Sequence, residues 1–276
     1  MAIAFDNILI PVDFSHNTEV AIKKAVGMTG REGVMLHLLH VIRPGRLPVH
    51  QFARWSAETE LEKWREIIRE KYPSVRVKTH ILQGRNAQRM IIEYAGLLKP
   101  DLIVIGKNDP PERLSFFRRV SPNVIARESH CPVLTVKPGS VDSRTRIILI
   151  PIRDFLPERR LEWAVMLAKK CRAQLHLPAI QERSETKEWA LPQVFLKTYH
   201  YLRERLHQPI EYSATGRQNM ARAALDCAEL IMADIILLNP ESESGISGLS
   251  GYWHISDLLR KDSRIQVLEV EPYKTN

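Results

Sequence analysis

The chain has 276 residues, 44% of them hydrophobic and 26% charged, a globular composition that excludes a disordered or low-complexity protein and leaves room for two domains. No run approaches the roughly 18–20 apolar residues that cross a bilayer, and Met1–Ile10 lacks the basic opening of a signal peptide, so a cytoplasmic protein with no membrane partner is expected. The net charge of +8 lies mostly in the first half, where residues 1–140 carry 21 Lys+Arg against 14 Asp+Glu, while residues 141–276 carry 19 against 18.

Short apolar runs alternate with longer segments of helical period. Ile8–Val12 is apolar throughout, as a strand buried on both faces must be, and Thr18–Thr29 sets Val20, Ile22, Ala25 and Val26 along one helix side. Val34–Val41 predicts a second strand, Ala53–Lys71 a long helix, Val75–Gln83 a third strand and Ala87–Leu98 a helix. Leu102–Ile105, a helix over Pro122–Glu128 and Val133–Val136 complete a β-α-β-α-β-α-β-α-β unit. Such an alternation requires a parallel, doubly wound α/β sheet of order 3-2-1-4-5, whose ligands bind at the carboxyl ends of the first and fourth strands, where the winding reverses.

The unit then repeats. Ile8–Val12 returns as Ile148–Ile152, Leu36–Leu38 as Leu175–Leu177, Asp101–Ile105 as Asp234–Leu238, and Val133–Val136 as Val267–Val270. Four matches in the same order predict two tandem copies: residues 1–138, a linker at 139–144 within the Pro-Gly-Ser stretch, and residues 145–276.

Pro11-Val12-Asp13-Phe14-Ser15 follows the first strand and Gly106-Lys107-Asn108-Asp109 the fourth. With Leu36–Val41, Asp101–Gly106 and His130–Val136, these segments resemble the universal stress protein family over residues 4–138, and more faintly over 145–271. The resemblance implies a Rossmann-like domain that dimerises or occurs in tandem, with fifth strands pairing across the interface. In one subgroup it implies ATP as cofactor, with no metal required by the sequence. Carried over, Asp13 and Val41 hold adenine beside Pro11 and Val12, and Ile105, Gly106, Arg118, Arg119, Val120 and Ser121 lie along the phosphates. The phosphate half departs from the family: Asp109 stands in place of the second glycine and Arg119-Val120, or Arg118-Arg119, in place of Gly-Ser. Arginines clamp phosphate in another way, and Pro110-Pro111 and Asp109 oppose it, so a lost site and a rebuilt one both stand. Arg113, Arg118, Arg119 and Arg127 fit a local anion site at least as well as a nucleic-acid surface.

In the second copy Arg153 replaces Asp13, with Asp154 beside it, and Asn239-Pro240 replaces Gly106-Lys107. The glycines of Ser244–Gly251 precede an expected helix His254–Arg260, as an anion nest or as a surface loop. His37 and His40 point to opposite sides of their strand and are expected to be structural. Cys131 is expected to be a small buried residue, and Trp55, Trp64 and Trp163 to pack in the core or an interface. Cys131, Cys171 and Cys227 are widely spaced, which disfavours disulfides and cysteine zinc sites. No spacing pairs an acid with a base. The expectation is a non-enzymatic stress or regulatory protein whose two domains pack as an internal pseudo-dimer with ATP binding lost or weakened, acting on an unidentified regulatory partner. The alternative is an adenine-nucleotide sensor that binds ATP, ADP or AMP in its first domain.

Overall fold

The computed structural model of the chain describes residues 5–29, 33–45, 49–107, 120–141, 144–152, 158–180, 193–207, 209–215, 219–241, 243, 245–248 and 251–272. The first half runs β1 (Asn7–Pro11), α1 (His16–Thr29), β2 (Met35–Ile42), α2 (Val49–Lys71), β3 (Arg76–Gln83), α3 (Ala87–Leu98), β4 (Leu102–Gly106), α4 (Pro122–Ser129) and β5 (Val133–Val136). The second runs β6 (Ile147–Leu149), α5 (Glu158–Cys171), β7 (Gln174–Ile180), α6 (Gln193–Arg205), β8 (Ile210–Thr215), α7 (Met220–Leu230), β9 (Ile235–Leu238), β10 (Gly245–Gly248), β11 (Gly251–His254), α8 (Ile255–Leu258) and β12 (Gln266–Glu269).

Ten strands form one sheet, β3-β2-β1-β4-β5-β12-β9-β6-β7-β8. Each half supplies five parallel strands in the order 3-2-1-4-5, counted within that half, and so has the doubly wound α/β fold. The two sets meet where β12 runs antiparallel to β5, with Val267 opposite Thr135, Leu268 opposite Leu134 and Glu269 opposite Val133. Ile8, Leu9 and Ile10 in β1, Leu102, Ile103 and Val104 in β4, and Ile236 and Leu237 in β9 are wholly buried. Strands apolar on both faces need helices on both sides, which the crossovers provide.

Polar devices repeat along with the apolar runs. The Asp101 carboxylate accepts the N–H groups of Asp6 at 2.9 Å and Asn7 at 2.8 Å, tying the start of β4 to β1. Asp234 accepts those of Arg146 at 2.7 Å and Ile147 at 3.1 Å and does the same for β9 and β6. Asn86 caps α3 by accepting from Arg89 N–H at 3.1 Å, and Asn219 caps α7 by accepting from Ala221 at 3.0 Å and Arg222 at 3.3 Å.

The two sheet faces differ. Beneath α1, α2, α5 and α6 one continuous core joins Ile8, Val20, Leu134 and Val136 of the first half to Ile148, Ile150, Leu268 and Val270 of the second. Phe5 meets Trp163 across that junction with ring centroids 5.5 Å apart. On the opposite face the cores are separate, one around Leu9, Ile91, Ile103 and Ile125 under α3 and α4, the other around Leu149, Leu225, Ile236 and Ile255 under α7 and α8. Between the halves lies a 3-10 turn, Pro138–Ser140. Gly139 N–H donates to the Lys261 carbonyl at 3.1 Å, and a Cβ there would collide with the Asp262 carbonyl.

One expected element is corrected. Instead of a helix over His254–Arg260, β10 and β11 form an antiparallel hairpin with Gly248 opposite Gly251, and α8 spans only Ile255–Leu258. The aromatic pair 252–253 directly after Gly251 suits a paired ribbon better than a loop leading into a helix. A helix this short offers no anion nest, and Ser244, Leu249 and Ser250 lie outside the described residues.

Candidate functional site

The winding reverses between β1 and β4 in the first half, and between β6 and β9 in the second. In the first crevice Val12 is buried; its N–H donates to the Leu39 carbonyl at 2.9 Å, and its carbonyl accepts from His40 Nδ1–H at 2.8 Å. That bond fixes the tautomer, and burial holds the His40 pKa below its ordinary value. Phe14 has a left-handed backbone, φ +61°, which costs a non-glycine residue about 1–2 kcal/mol. Its ring lies against His40 with centroids 4.3 Å apart, a contact that offsets the strain.

Asp13 is committed to the same turn. Its Oδ1 accepts from Ser15 N–H at 3.1 Å, Ser15 Oγ–H at 2.6 Å and Thr18 Oγ1–H at 3.1 Å, while its own N–H donates to Thr18 Oγ1 at 3.1 Å. The residue expected to hold adenine is thus also the clasp between β1 and α1. Pro11, Val12, Asp13, Val41, Ile105 and Gly106 come together at the ends of the adjacent strands β1, β2 and β4. The side chains of Val41 and Ile105 are buried in the core under α3, so backbone is what they offer at the rim. Gly106 has a packing reason of its own, because a Cβ there would strike the Asn17 carbonyl in the first turn of α1. Val120 is buried in the same core as Val41, and Ser121 precedes α4 with its N–H donating to Gln88 Oε1 at 2.8 Å and no side-chain cap bond. Asp109, Arg113, Arg118 and Arg119 lie outside the described residues.

Lys107 N–H donates to the Val136 carbonyl at 3.0 Å, and its side chain pairs with Asp257 of α8 in the second half. Toward an adenine nucleotide the fit is therefore divided. The strand ends present backbone groups, while Lys107, the residue after Gly106, already holds a carboxylate.

The second crevice is filled. Arg160 and Glu243 are both buried and form an ion pair. Arg160 Nη2–H donates to the Pro151 carbonyl at the end of β6 at 3.0 Å, Nη1–H reaches the Leu237 carbonyl of β9 at 3.4 Å, and Glu243 accepts from Asn239 N–H at 2.9 Å. Arg153 and Asp154 lie outside the described residues. Neither Arg160 nor Glu243 stands out in a single sequence, where both read as ordinary surface charges.

Elsewhere, His37 is buried and hydrogen-bonds to His80 at 3.0 Å and to Asn7 Oδ1 at 3.3 Å, so both sequence-flagged histidines hold the fold. The Cys131 thiol, its pKa pushed up by burial, donates to the Pro100 carbonyl at 3.1 Å. Trp163 is buried, whereas Trp55 is 62% exposed beside Phe52 on α2. Ser256, His254 and Glu269 form a hydrogen-bonded trio at 2.6 and 2.7 Å that the sequence spacing did not suggest. Ser256 and Glu269 have no exposed surface, so a substrate has no path to them. Among the described residues no three His, Cys, Asp or Glu are grouped to hold a metal, and no helix is long and apolar enough to cross a membrane.

Residues 4–137 match the Universal stress protein family. The first half of this chain belongs to that family. Across both halves, the universal stress protein from Archaeoglobus fulgidus DSM 4304 superposes with a TM-score of 0.68 at 19% identity, covering 97% of this chain and 98% of that one. The cytoplasmic domain of a prokaryotic cation chloride cotransporter superposes with a TM-score of 0.53 at 14% identity, over 96% of this chain and 95% of that one. At these identities the likeness is one of fold. It places the tandem arrangement of a universal stress protein fold in more than one kind of protein.

Proposed function

We propose that this chain is a non-enzymatic stress-response regulator in which two domains, residues 1–138 and 145–276, act as an internal pseudo-dimer with the family's nucleotide site weakened or lost. Membership of the universal stress protein family supports the stress-response part. The observation that carries the pseudo-dimer is the antiparallel pairing of β5 with β12, two symmetry-equivalent strands, over a core shared by both halves. An exposed β5 edge would be a pairing hazard, and β12 covers it. The weakened site is supported by Asp13's three turn bonds in one crevice and by the Arg160–Glu243 plug in the other.

A second reading makes the first domain an adenine-nucleotide sensor. It is favoured by the meeting of Pro11, Val12, Asp13, Val41 and Gly106 at one reversal point, with Lys107 beside them. Calorimetry with ATP, ADP and AMP on the native chain and on Asp13→Ala separates the two. The expected result is no tight, saturable heat from any of the three. Tight ATP binding that Asp13→Ala abolishes would establish the sensor instead.

A further inference from the structure

Lys107 follows Gly106 at the carboxyl end of β4, one residue beyond the strand that bounds the first crevice. Its backbone is pinned by the Val136 carbonyl, and its side chain, 19% exposed, pairs with the Asp257 carboxylate, 36% exposed. Asp257 belongs to the other half of the molecule. It rides on α8, whose Ile255 and Ser256 are fully buried and whose cap, His254, donates from Nε2–H to Glu269 on β12 at 2.7 Å. Since β12 is itself paired to β5, this carboxylate is carried to Lys107 on an element tied into the sheet across the junction.

We propose that Asp257 is an intramolecular competitor: it takes the place of a ligand phosphate on Lys107 and bars the polyphosphate of an adenine nucleotide from the first crevice. This deepens the reading of that crevice as a weakened nucleotide site and rests on it. A carboxylate next to a phosphate-binding position acts twice, by occupying the cation and by repelling a like charge. Both partners reach solvent, so the pair contributes little to stability and opens without unfolding the chain. The second half thus supplies the residue that sets what the first half binds.

The test is the affinity of the full chain for ATP, AMP and adenosine, by calorimetry, with and without Asp257→Asn. Asp257→Ser serves as a second variant should the amide rebuild the contact. Removing the carboxylate should tighten ATP binding by about tenfold or more, the worth of one charge-assisted hydrogen bond, should do less for AMP and should leave adenosine unchanged. Adding Lys107→Met should cancel the gain. If ATP bound the native chain and both variants equally tightly, the competitor idea and the weakened-site reading would fall together. If none of them bound ATP, the competitor idea alone would fall, because something other than Asp257 would have closed the site. A gain that survives Lys107→Met would also overturn it.

Discussion

The two crevices stand at equivalent points of the two halves, and different side chains occupy them. In the second, a buried arginine and a buried glutamate bridge the ends of β6 and β9 and are sealed from water. In the first, the clasp is a half-buried aspartate turn and the cation is held by a partly exposed carboxylate. A desolvated pair is costly to break, because either partner left alone is an uncompensated charge, whereas an exposed pair exchanges readily with solvent or ligand. The contrast supports the proposal made above, in which the second half is the fixed scaffold and the first holds a site that a small change reopens.

The harshest way to break this comparison is to remove the scaffold. A chain ending at Ser140 loses β12 and the second half's share of the core around Phe5, Trp163 and Leu134. Light scattering should show it dimeric or aggregated, since a strand edge and an apolar face are bared together. A well-behaved monomer would mean that the halves need not pack.

Next in size is the plug itself. Arg160→Ala leaves Glu243 buried without its partner and should cost about 3–5 kcal/mol in a urea denaturation. Replacing both members by Met and Leu should cost far less. In the first crevice, Asp13→Asn should cost only about 1 kcal/mol, the typical worth of a turn or capping bond. Equal losses at Arg160 and Asp13 would refute the contrast.

The smallest effect compares one strand position in the two halves. His37 on β2 faces His80, while its counterpart His176 on β7 faces Ser213 at 2.9 Å and Glu211 at 3.7 Å. Burial, and then His80 and Lys78, lower the His37 pKa from its ordinary 6.5 to about 4; burial lowers that of His176 while Glu211 opposes the change. A histidine depressed in this way is neutral in the native state and takes up a proton on unfolding. Its contribution is complete above about 6.5 and is lost as the pH falls toward about 4. NMR titration should find His37 neutral to a lower pH than His176, and His80→Ser should bring the two closer. A higher pKa for His37 than for His176 would contradict this.

Much of the architecture could be read from the residues in order. Ile8–Val12 and Leu102–Ile105 announce buried parallel strands because no polar side chain interrupts them, and Ala87–Leu98 has the bounds that the helical period predicts. The site was legible only as far as family-like segments reached. Pro11, Val12, Asp13, Val41 and Gly106 could be named, but the bonds from Ser15 and Thr18 to Asp13 were not visible, nor the reason Gly106 must lack a Cβ. The helix expected over His254–Arg260 shortens to Ile255–Leu258 because the glycine-rich stretch before it pairs with itself, which its composition does not declare.

By itself the sequence determined two things about this protein: the strand–helix alternation and its duplication. Both rest on local periodicity, which needs no knowledge of what lies across the fold. Tertiary structure alone decided that Thr135 faces Val267, that Arg160 finds Glu243, and that Asp257 reaches Lys107, pairs separated by 83 to 150 positions in the chain. Charges carry no address in one dimension. Their partners are chosen by burial, which makes an unpaired charge costly, and by packing, which determines the pairs within reach.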